Sequence, residues 1–256
     1  MAVVPFRDLT PAHDCAHAQW LVEAMRDREG IAKVVPAGYD GYLRIHHPLP
    51  EGRTWGEAAP TYLRRGTPRY EYPFPDPVTS VVGNLDAGNV DRVAAVLAAA
   101  TTTPELCHYG LWGGWGELHA QSNSTMYFQP TTSSRLGRVR NRHALQRLRQ
   151  REIRRTQPAY DFIASCPTQS WWGGRDMLLF DGSVDKVQFI GSASPFDDGL
   201  CRRSPQWWWP HDRAWFFANE IDYPWTYLGG RVDLLERIRT TLNDVEAVVV
   251  HIDDEW

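Results

Sequence analysis

Residues 207–209 are three consecutive tryptophans, and Pro210 follows them directly. The surrounding segment, SPQWWWPHDRAWFFANEIDYPWTYLGG at 204–230, holds five of the chain's twelve tryptophans. Because proline has no backbone N–H with which to continue a strand pairing, we expect the tryptophan run to form a strand end or a loop packed over a sheet edge. The next segment, RAWFFANEI, places aromatic and small residues on both faces, which predicts a strand covered on both sides.

The composition supplies the material for such an interior. Hydrophobic residues make up 43% of the 256 residues, and aromatic residues make up 12%. A folded chain of this length buries roughly 70–75% of the surface that it exposes when unfolded. The charged fraction of 23% is ordinary, which excludes a disordered tail or a fibre.

Helical and strand patterns are interspersed along the chain without a repeating strand–helix–strand rhythm. We therefore predict an α+β fold with a mixed, largely antiparallel sheet flanked by helices. The flanking helices are predicted over residues 11–28, 89–100 and 232–241. Thr10 and Asn89 are the expected caps of the first two.

Two further segments, IAKVV (31–35) and VDKVQFIG (184–191), have the composition of strands, and a turn at Asp181-Gly182 makes the second a hairpin candidate. We expect one α+β domain over residues 1–256. Within it, residues 120–160 are expected to form a projecting arginine-rich insertion.

Four ordered segments resemble a family of actinobacterial proteins of uncharacterised function. They are VPAGYDGYLRIHHP (35–48), ATTTPELCHYGLWGGWGEL (100–118), MLLFDGSV (177–184) and the tryptophan-rich segment 204–230. The resemblance spans nearly the whole chain and implies no activity. The arginine-rich segment 135–155 and the third consecutive tryptophan depart from the family's pattern. In its tryptophan-rich α+β composition and its VP-x-x-Y opening, the chain is also similar to the Smi1/Knr4-like immunity and interaction proteins, which implies a binding role.

Charged residues flank the tryptophan run, and they are the strongest site candidates. His211, Asp212 and Arg213 follow it at once, and Glu220 and Asp222 come 7–10 residues later. At about 3.3 Å per residue, the two groups cannot share a site unless other elements bring in partners.

Three interpretations of this block remain open. We favour ion pairs of Asp212 and Arg213 that lock a tryptophan-rich core. A ligand cleft lined by Trp208 and Trp209 is the next interpretation, because pockets are mostly apolar with a few convergent polar groups. Acid–base catalysis by Asp212, Glu220 or Asp222 comes last, because no nucleophile or second base stands at a suitable spacing.

Further ligand-binding candidates lie outside this block. Arg44 and His46 share one face of the predicted strand YDGYLRIHH and would reach an anionic ligand if that face bordered a cleft. We favour the alternative, a histidine that is simply hydrogen-bonded. Trp112 and Trp172 come from the similar segments LWGGWGEL and WWGGRDML, which reflect either a duplicated unit or the ordinary pairing of glycine with bulky rings.

Residues 134–156 contain nine arginines and one acidic residue, so this segment carries about +8 and the remainder of the chain about −12. A helix is predicted over 141–155. We expect a solvated helix paired with the protein's own acids. An acidic protein partner ranks second and nucleic acid third, because the acidic remainder would repel a polyanion. The partner-binding candidates are Arg142, Arg147, Arg149, Arg151 and Arg154.

Recognisable cofactor and metal motifs do not occur in the sequence, which has no G-x-S-x-G elbow, P-loop, G-x-G-x-x-G, HExxH or EF-hand loop. The adjacent His46 and His47 would point to opposite faces of a strand. His251, Asp253 and Asp254 have no histidine or cysteine partner at ligand spacing. We therefore expect no metal and no cofactor.

The N-terminal MAVVPFRDLT lacks the pattern of a signal peptide, no apolar run is long enough to span a membrane, and the four cysteines form no C-x-x-C pair. We expect a cytoplasmic protein without a membrane partner. The function predicted from the sequence is a non-catalytic protein- or ligand-binding module, of interaction or immunity type, that uses a tryptophan-rich surface. The alternative is a hydrolase- or transferase-like enzyme with a cleft beside residues 207–222.

Overall fold

One large antiparallel sheet organises the chain. The computed structural model describes residues 4–49, 82–118, 153–194 and 199–254, together with residues 147 and 150. The strands of this sheet are β1 (Thr10–Pro11), β2 (Gly41–His46), β3 (Cys107–Trp112), β4 (Thr168–Trp171), β5 (Arg175–Gly182), β8 (Trp207–Pro210), β9 (Phe216–Ala218), β10 (Trp225–Gly230) and β11 (Ala247–Val250). Their order is β1-β5-β3-β8-β9-β10-β2-β11, with β4 also paired to β5.

Two short strands, β6 (Gly191–Ala193) and β7 (Leu200–Arg202), form a separate hairpin. All strand pairs within the described residues are antiparallel. The predicted α+β fold with a largely antiparallel sheet is confirmed, while the parallel component expected of a mixed sheet is not found among these pairs.

Helices cover both faces of the sheet. The helices are α1 (Gln19–Met25), α2 (Ala87–Ala98), α3 (153–165) and α4 (Val232–Thr241). Apolar side chains of α2, α3 and α4 pack on one face, here called the three-helix face, and those of α1 pack on the other, the α1 face. The sheet therefore has a hydrophobic core on each side.

The tryptophan run forms β8, which lies between β3 and β9 near the centre of the sheet. Side chains alternate along a strand, so Trp208 packs into the core of the three-helix face while Trp207 and Trp209 pack into the core of the α1 face. Pro210 is the last residue of the strand, where its missing N–H removes no internal pairing. Three consecutive indoles are accommodated because both faces of this strand are buried. The expected covering of RAWFFANEI on both sides is found as well, in the three buried residues of β9.

The predicted N-terminal helix over 11–28 is too long, because the α-helix spans only Gln19–Met25. Thr10 pairs with Asp181 of β5, so its backbone is in a strand and does not cap a helix. Asp14 instead accepts a hydrogen bond from the backbone N–H of Ala16, at the start of a 3₁₀ helix over Ala16–Ala18 that leads into α1.

The other two flanking helices agree with the prediction. Helix α4 has the predicted bounds, and α2 begins earlier than residue 89 because Asp86, rather than Asn89, is its cap. The Asp86 carboxylate accepts a hydrogen bond from the backbone N–H of Asn89 at 3.0 Å.

Two predicted strands are 3₁₀ helices, over Gly30–Lys33 and Val184–Phe189. In each segment the buried apolar residues recur every third or fourth position. Ile31, Val34 and Val35 are buried in the first, and Val184, Val187 and Ile190 in the second. This spacing is helical, whereas the prediction of strands rested on the Val, Ile and Phe content of the two segments, which does not distinguish a short strand from a short helix.

Only part of the predicted arginine-rich helix lies among the described residues. Residues 147 and 150 are helical, and α3 runs from residue 153 to residue 165, beyond the predicted end at residue 155. Arg147 and Arg154 are exposed, and Arg155 donates a hydrogen bond to the Ser194 carbonyl at 2.7 Å. Arg142, Arg149, Arg151 and most of the proposed insertion 120–160 lie outside the described residues.

Candidate functional site

The predicted site residues are spread over both ends of the sheet and its interior. Trp208 and Trp209 are fully buried, so they belong to the core and line no surface cleft. The ring of Trp208 packs between Tyr109 and Trp215, at centroid distances of 5.7 and 5.1 Å. Trp209 packs against Phe216 at 6.0 Å. These two indoles are therefore scaffold.

Asp212 holds together the loop that joins β8 to β9. Its carboxylate accepts hydrogen bonds from the backbone N–H of Thr102 at 2.7 Å and from the hydroxyls of Thr102 and Thr101 at 2.7 and 2.8 Å. Partial burial tends to raise the pKa of Asp212, but the hydrogen bonds from Thr102 and Thr101 outweigh burial and lower it. The carboxylate is thus ionised and occupied by structural donors.

Arg213 does not form the predicted ion pair with Asp212. Its guanidinium lies over the ring of Trp20 at 4.4 Å, and no carboxylate of the described residues lies within salt-bridge distance of it. The residue is in the left-handed region, with φ of 54°. The expected lock is therefore a cation–π contact, because the Asp212 carboxylate is already taken by two threonines.

Glu220 and Asp222 form an ion-pair network with Arg175 at the other end of the sheet. The Arg175 Nε donates to the Glu220 carboxylate at 2.6 Å, and Nη2 donates to Asp222 at 2.5 Å. The Glu220 side chain is 1% exposed, and burial raises its pKa against the lowering effect of a hydrogen bond from the Asp222 backbone and of Arg175. As the strand spacing predicted, these acids share no site with His211–Arg213.

Arg44 and His46 also pack within the protein and do not line a binding site. Arg44 lies 5.3 Å from the centre of the Trp225 ring, and His46 is 2% exposed. Burial, with the nearby Arg44 and His47, lowers the pKa of His46 to about 3. Their strand face is covered by the α1-side core rather than bordering a cleft.

Four half-buried tryptophans lie where β3 ends and the β4–β5 hairpin turns. Trp112 contacts Trp115 at a centroid distance of 5.3 Å, and Trp171 contacts Trp172 at 5.6 Å. The two pairs are joined through β5, in which Met177 is opposite Trp112 and Arg175 is opposite Trp171. We call Trp112, Trp115, Trp171 and Trp172 the tryptophan surface. It unites the two W-G-G segments.

Within the part of the chain that the structure describes, each cation in contact with the tryptophan surface is paired with a carboxylate. Lys33 and Arg175 lie 4.6 and 4.5 Å from the centre of the Trp172 ring, and Arg203 lies 4.1 Å from that of Trp115. Lys33 is paired with Glu29, and Arg203 with Glu117. Arg175 is paired with the acids described above. The surface is thus aromatic and close to electrically neutral.

A cluster of histidines occupies the opposite end of the sheet, on the α1 face. His108 of β3 is opposite Asp181 of β5 on one side and Trp209 of β8 on the other. Its Nδ1 lies 2.7 Å from the Asp181 Oδ1. The Ala16–Ala18 3₁₀ helix places His17 above these neighbouring side chains of β5, β3 and β8. There its ring stacks on that of His108 at a centroid distance of 4.5 Å.

Two more contacts complete this cluster. His108 Nε2 lies 3.2 Å from Nδ1 of His211, which directly follows β8. His17 Nε2 lies 4.0 Å from Asp181 Oδ1. Burial, followed by the neighbouring His108, lowers the pKa of His17. We call His17, His108, Asp181 and His211 the histidine cluster.

Sequence reasoning missed most of the histidine cluster because its members are far apart in the chain. Of the four, only His211 was a candidate. The sequence carries a signal for two of them, since His108 lies within the largely apolar β3 and Asp181 directly follows the apolar run at 177–180. Their pairing follows from strand register, which a single sequence does not reveal.

A cleft of about 380 Å³ lies between the end of α2 and the start of α4. Its polar lining consists of Thr101, Thr102, Asp212, Arg231, Asp233 and Arg237. Asp212 is bound by the threonines, and Arg231 pairs with Asp233 at 2.9 Å. These partnerships leave this cleft without a convergent acid–base pair.

Among the described residues, no helix is both long enough and apolar enough to cross a bilayer. Comparisons with protein-family models, with curated proteins and with solved structures found no match to this chain.

Proposed function

We propose that this protein is a non-catalytic binding module, of interaction or immunity type, that binds a protein partner through the tryptophan surface. The observation that carries the proposal is the set of four half-buried indoles gathered on two turns at one end of a rigid sheet. Tryptophan and arginine are the residue types that contribute most to the binding free energy of protein interfaces. Rigid strand ends hold them in place without a cost in loop ordering.

Two features favour a protein partner over other ligands. Lys33, Arg175 and Arg203 are each paired with a carboxylate of the same chain, so they offer little to a polyanion such as nucleic acid. Balanced charge and half-buried aromatic rings suit a protein segment that brings its own apolar and hydrogen-bonding groups.

The carboxylates proposed for acid–base catalysis in the enzyme alternative are already engaged in structural contacts. Asp212 is bound by Thr101 and Thr102, and Glu220 is bound by Arg175. We therefore favour the binding role over the hydrolase- or transferase-like alternative. We also propose a cytoplasmic setting, which the four free cysteines support because thiols persist in reducing compartments.

Photo-crosslinking tests the surface. A benzophenone amino acid is introduced at Gln169, which shares a face of β4 with Trp171, and separately at Val232, a 58% exposed residue of α4, as the matched control. In cells we expect a discrete protein adduct at position 169 and none at 232.

The partner identified in the adduct is then purified in its uncrosslinked form. Its affinity for this protein is measured by titration calorimetry. We expect Trp172→Ala and Trp115→Ala to weaken binding by about 30-fold or more, as hot-spot truncations do, and Val232→Ala by less than twofold. Adducts at both positions, a nucleic-acid adduct, no adduct at 169, or unchanged affinity of the tryptophan variants would each refute the proposal.

A further inference from the structure

The histidine cluster has the donor atoms of a metal site. His17, His108 and Asp181 each offer one ligand atom, and these atoms all lie within 4.8 Å of one another. We infer that these three residues bind a divalent first-row transition metal ion, with Zn²⁺ as the best fit to their chemistry. The site lies at the opposite end of the sheet from the tryptophan surface, so this inference is independent of the proposed function.

Imidazole nitrogen and carboxylate oxygen are the ligands that Zn²⁺ takes alongside thiolate, with bonds of about 2.0–2.2 Å. Tetrahedral bonds of that length place ligand atoms about 3.3 Å apart. The His108 Nδ1 to Asp181 Oδ1 distance is 2.7 Å, and the His17 Nε2 to Asp181 Oδ1 distance is 4.0 Å. These distances bracket the ideal separation, so small rotations of the side chains would complete the geometry.

The unused nitrogen of His17 points to the same conclusion. Its Nε2 is buried, yet it has no hydrogen-bond partner within the part of the chain that is described. Most buried polar atoms are satisfied, and each exception calls for an explanation such as an ion. A metal bound beside Asp181 would give this nitrogen a partner.

His211 is suited to orient His108. When the Nε2–H of His108 donates to His211 Nδ1 at 3.2 Å, the lone pair of Nδ1 is free to face Asp181 and the metal. Without metal, a proton on Nδ1 must bridge the 2.7 Å contact with the carboxylate. On binding, the metal ion takes the place of this proton at Nδ1, and His108 and His211 both change to their Nε2–H tautomers by exchanging protons with solvent, so that both rings remain neutral. Outer hydrogen bonds of this kind typically fix the tautomer of ligating histidines.

Three protein ligands leave at least one coordination position for water or an exogenous ligand. The Asp181 and His17 side chains are partly exposed, which gives an ion a route to the site from solvent. Asp181 contributes a negative charge close to two neutral imidazoles, which favours a divalent cation over an anion.

Calorimetric titration of the tag-free, chelator-treated protein with ZnCl₂ tests the inference. We expect one Zn²⁺ ion per chain with a Kd in the micromolar range or below. His17→Gln and Asp181→Asn should each weaken binding tenfold or more. His13→Gln is the matched control, because His13 lies four residues from His17 but its side chain is 99% exposed. This variant should bind Zn²⁺ like the wild type.

Circular dichroism and thermal melting in the presence of chelator show whether each variant folds. If Asp181→Asn does not fold, His17→Gln decides, because His17 contributes to no strand pairing. Titration of the wild type with Co²⁺ gives an independent readout, since its ligand-field bands report nitrogen and oxygen ligands directly. No binding by the wild type, an equal loss in His13→Gln, or wild-type affinity in His17→Gln would overturn the inference.

Discussion

At the residue scale, Glu220 illustrates how a carboxylate is held in the interior of this protein. Its side chain is almost completely removed from water, and Arg175, itself 12% exposed, supplies the counter-charge at 2.6 Å. Burial raises the pKa of Glu220 in spite of that pairing. A carboxylate that is buried and paired in this way has a structural role, and removing its counter-ion would destabilise the folded protein.

Arg175→Met is expected to lower the free energy of unfolding by about 3–5 kcal/mol, because it leaves a buried carboxylate without its counter-ion. The double variant Arg175→Met/Glu220→Gln should lose less than the single one. Arg202→Met is the control, with an expected loss below about 1 kcal/mol, because its partner Asp91 is largely solvent-exposed. Urea unfolding monitored by fluorescence measures all three, and equal losses in Arg175→Met and Arg202→Met would contradict the interpretation.

His46 should make the protein sensitive to acid. The folded chain keeps this ring neutral down to its pKa of about 3, whereas an unfolded chain takes up the proton near about 6.5. The stability contributed by the neutral ring is therefore complete above the unfolded value and is lost as pH falls towards the folded value. Between these limits the loss amounts to about 1.4 kcal/mol per pH unit.

His46→Gln should remove this part of the pH dependence, which urea unfolding at a series of pH values between 4 and 7 would measure. The exposed His251 provides the control, since His251→Gln should retain the slope of the wild type. Parallel stability curves for the wild type and His46→Gln would rule out this role.

At the element scale, β8 is the strand on which both cores depend. Trp208 faces the helices α2, α3 and α4, while Trp207 and Trp209 face α1. The neighbouring strand accommodates these rings at Gly110, where an added Cβ would lie 3.1 Å from the side chain of Trp207. A bulky strand and a glycine opposite it thus form one packing unit.

Trp208→Ala is expected to lower the free energy of unfolding by about 3–5 kcal/mol, because the neighbouring rings cannot collapse into the space of an indole. Trp112→Ala, at the half-buried tryptophan surface, should cost clearly less. Thermal and urea unfolding of both variants measure the difference. Comparable losses would mean that Trp112 is core rather than surface.

The elements show how much the sequence predicts. The α+β class, the largely antiparallel sheet and helix α4 follow from local periodicity, and all three are confirmed. Two segments rich in β-branched and aromatic residues misled the prediction. In IAKVV and VDKVQFIG, the periods of strand and 3₁₀ helix cannot be told apart until it is known which side chains face the core.

At the scale of the whole molecule, the histidine cluster depends on the register in which the strands pair. The pattern of residues within one segment does not reveal that register. His108 and Asp181 meet because β3 pairs with β5, and His17 joins them because the Ala16–Ala18 3₁₀ helix places its ring on that of His108. Likewise Arg175, absent from the predicted candidates, joins Glu220 and Asp222 through contacts across strands. Glu220 and Asp212 have separate partners, Arg175 and the two threonines, which agrees with the expectation that they share no site, an expectation that needed only the length of a strand.

Helices on both sides of the sheet have a further consequence for how this protein can diversify. With its broad surfaces covered, the sheet meets solvent chiefly at its rim, where strands stop and reverse. The exposed residues of the rim carry less of the packing than the buried strands do, so related chains are free to exchange them and acquire new ligands while retaining the same scaffold. Variation among relatives should therefore concentrate at the turns, and the double core between them should change slowly.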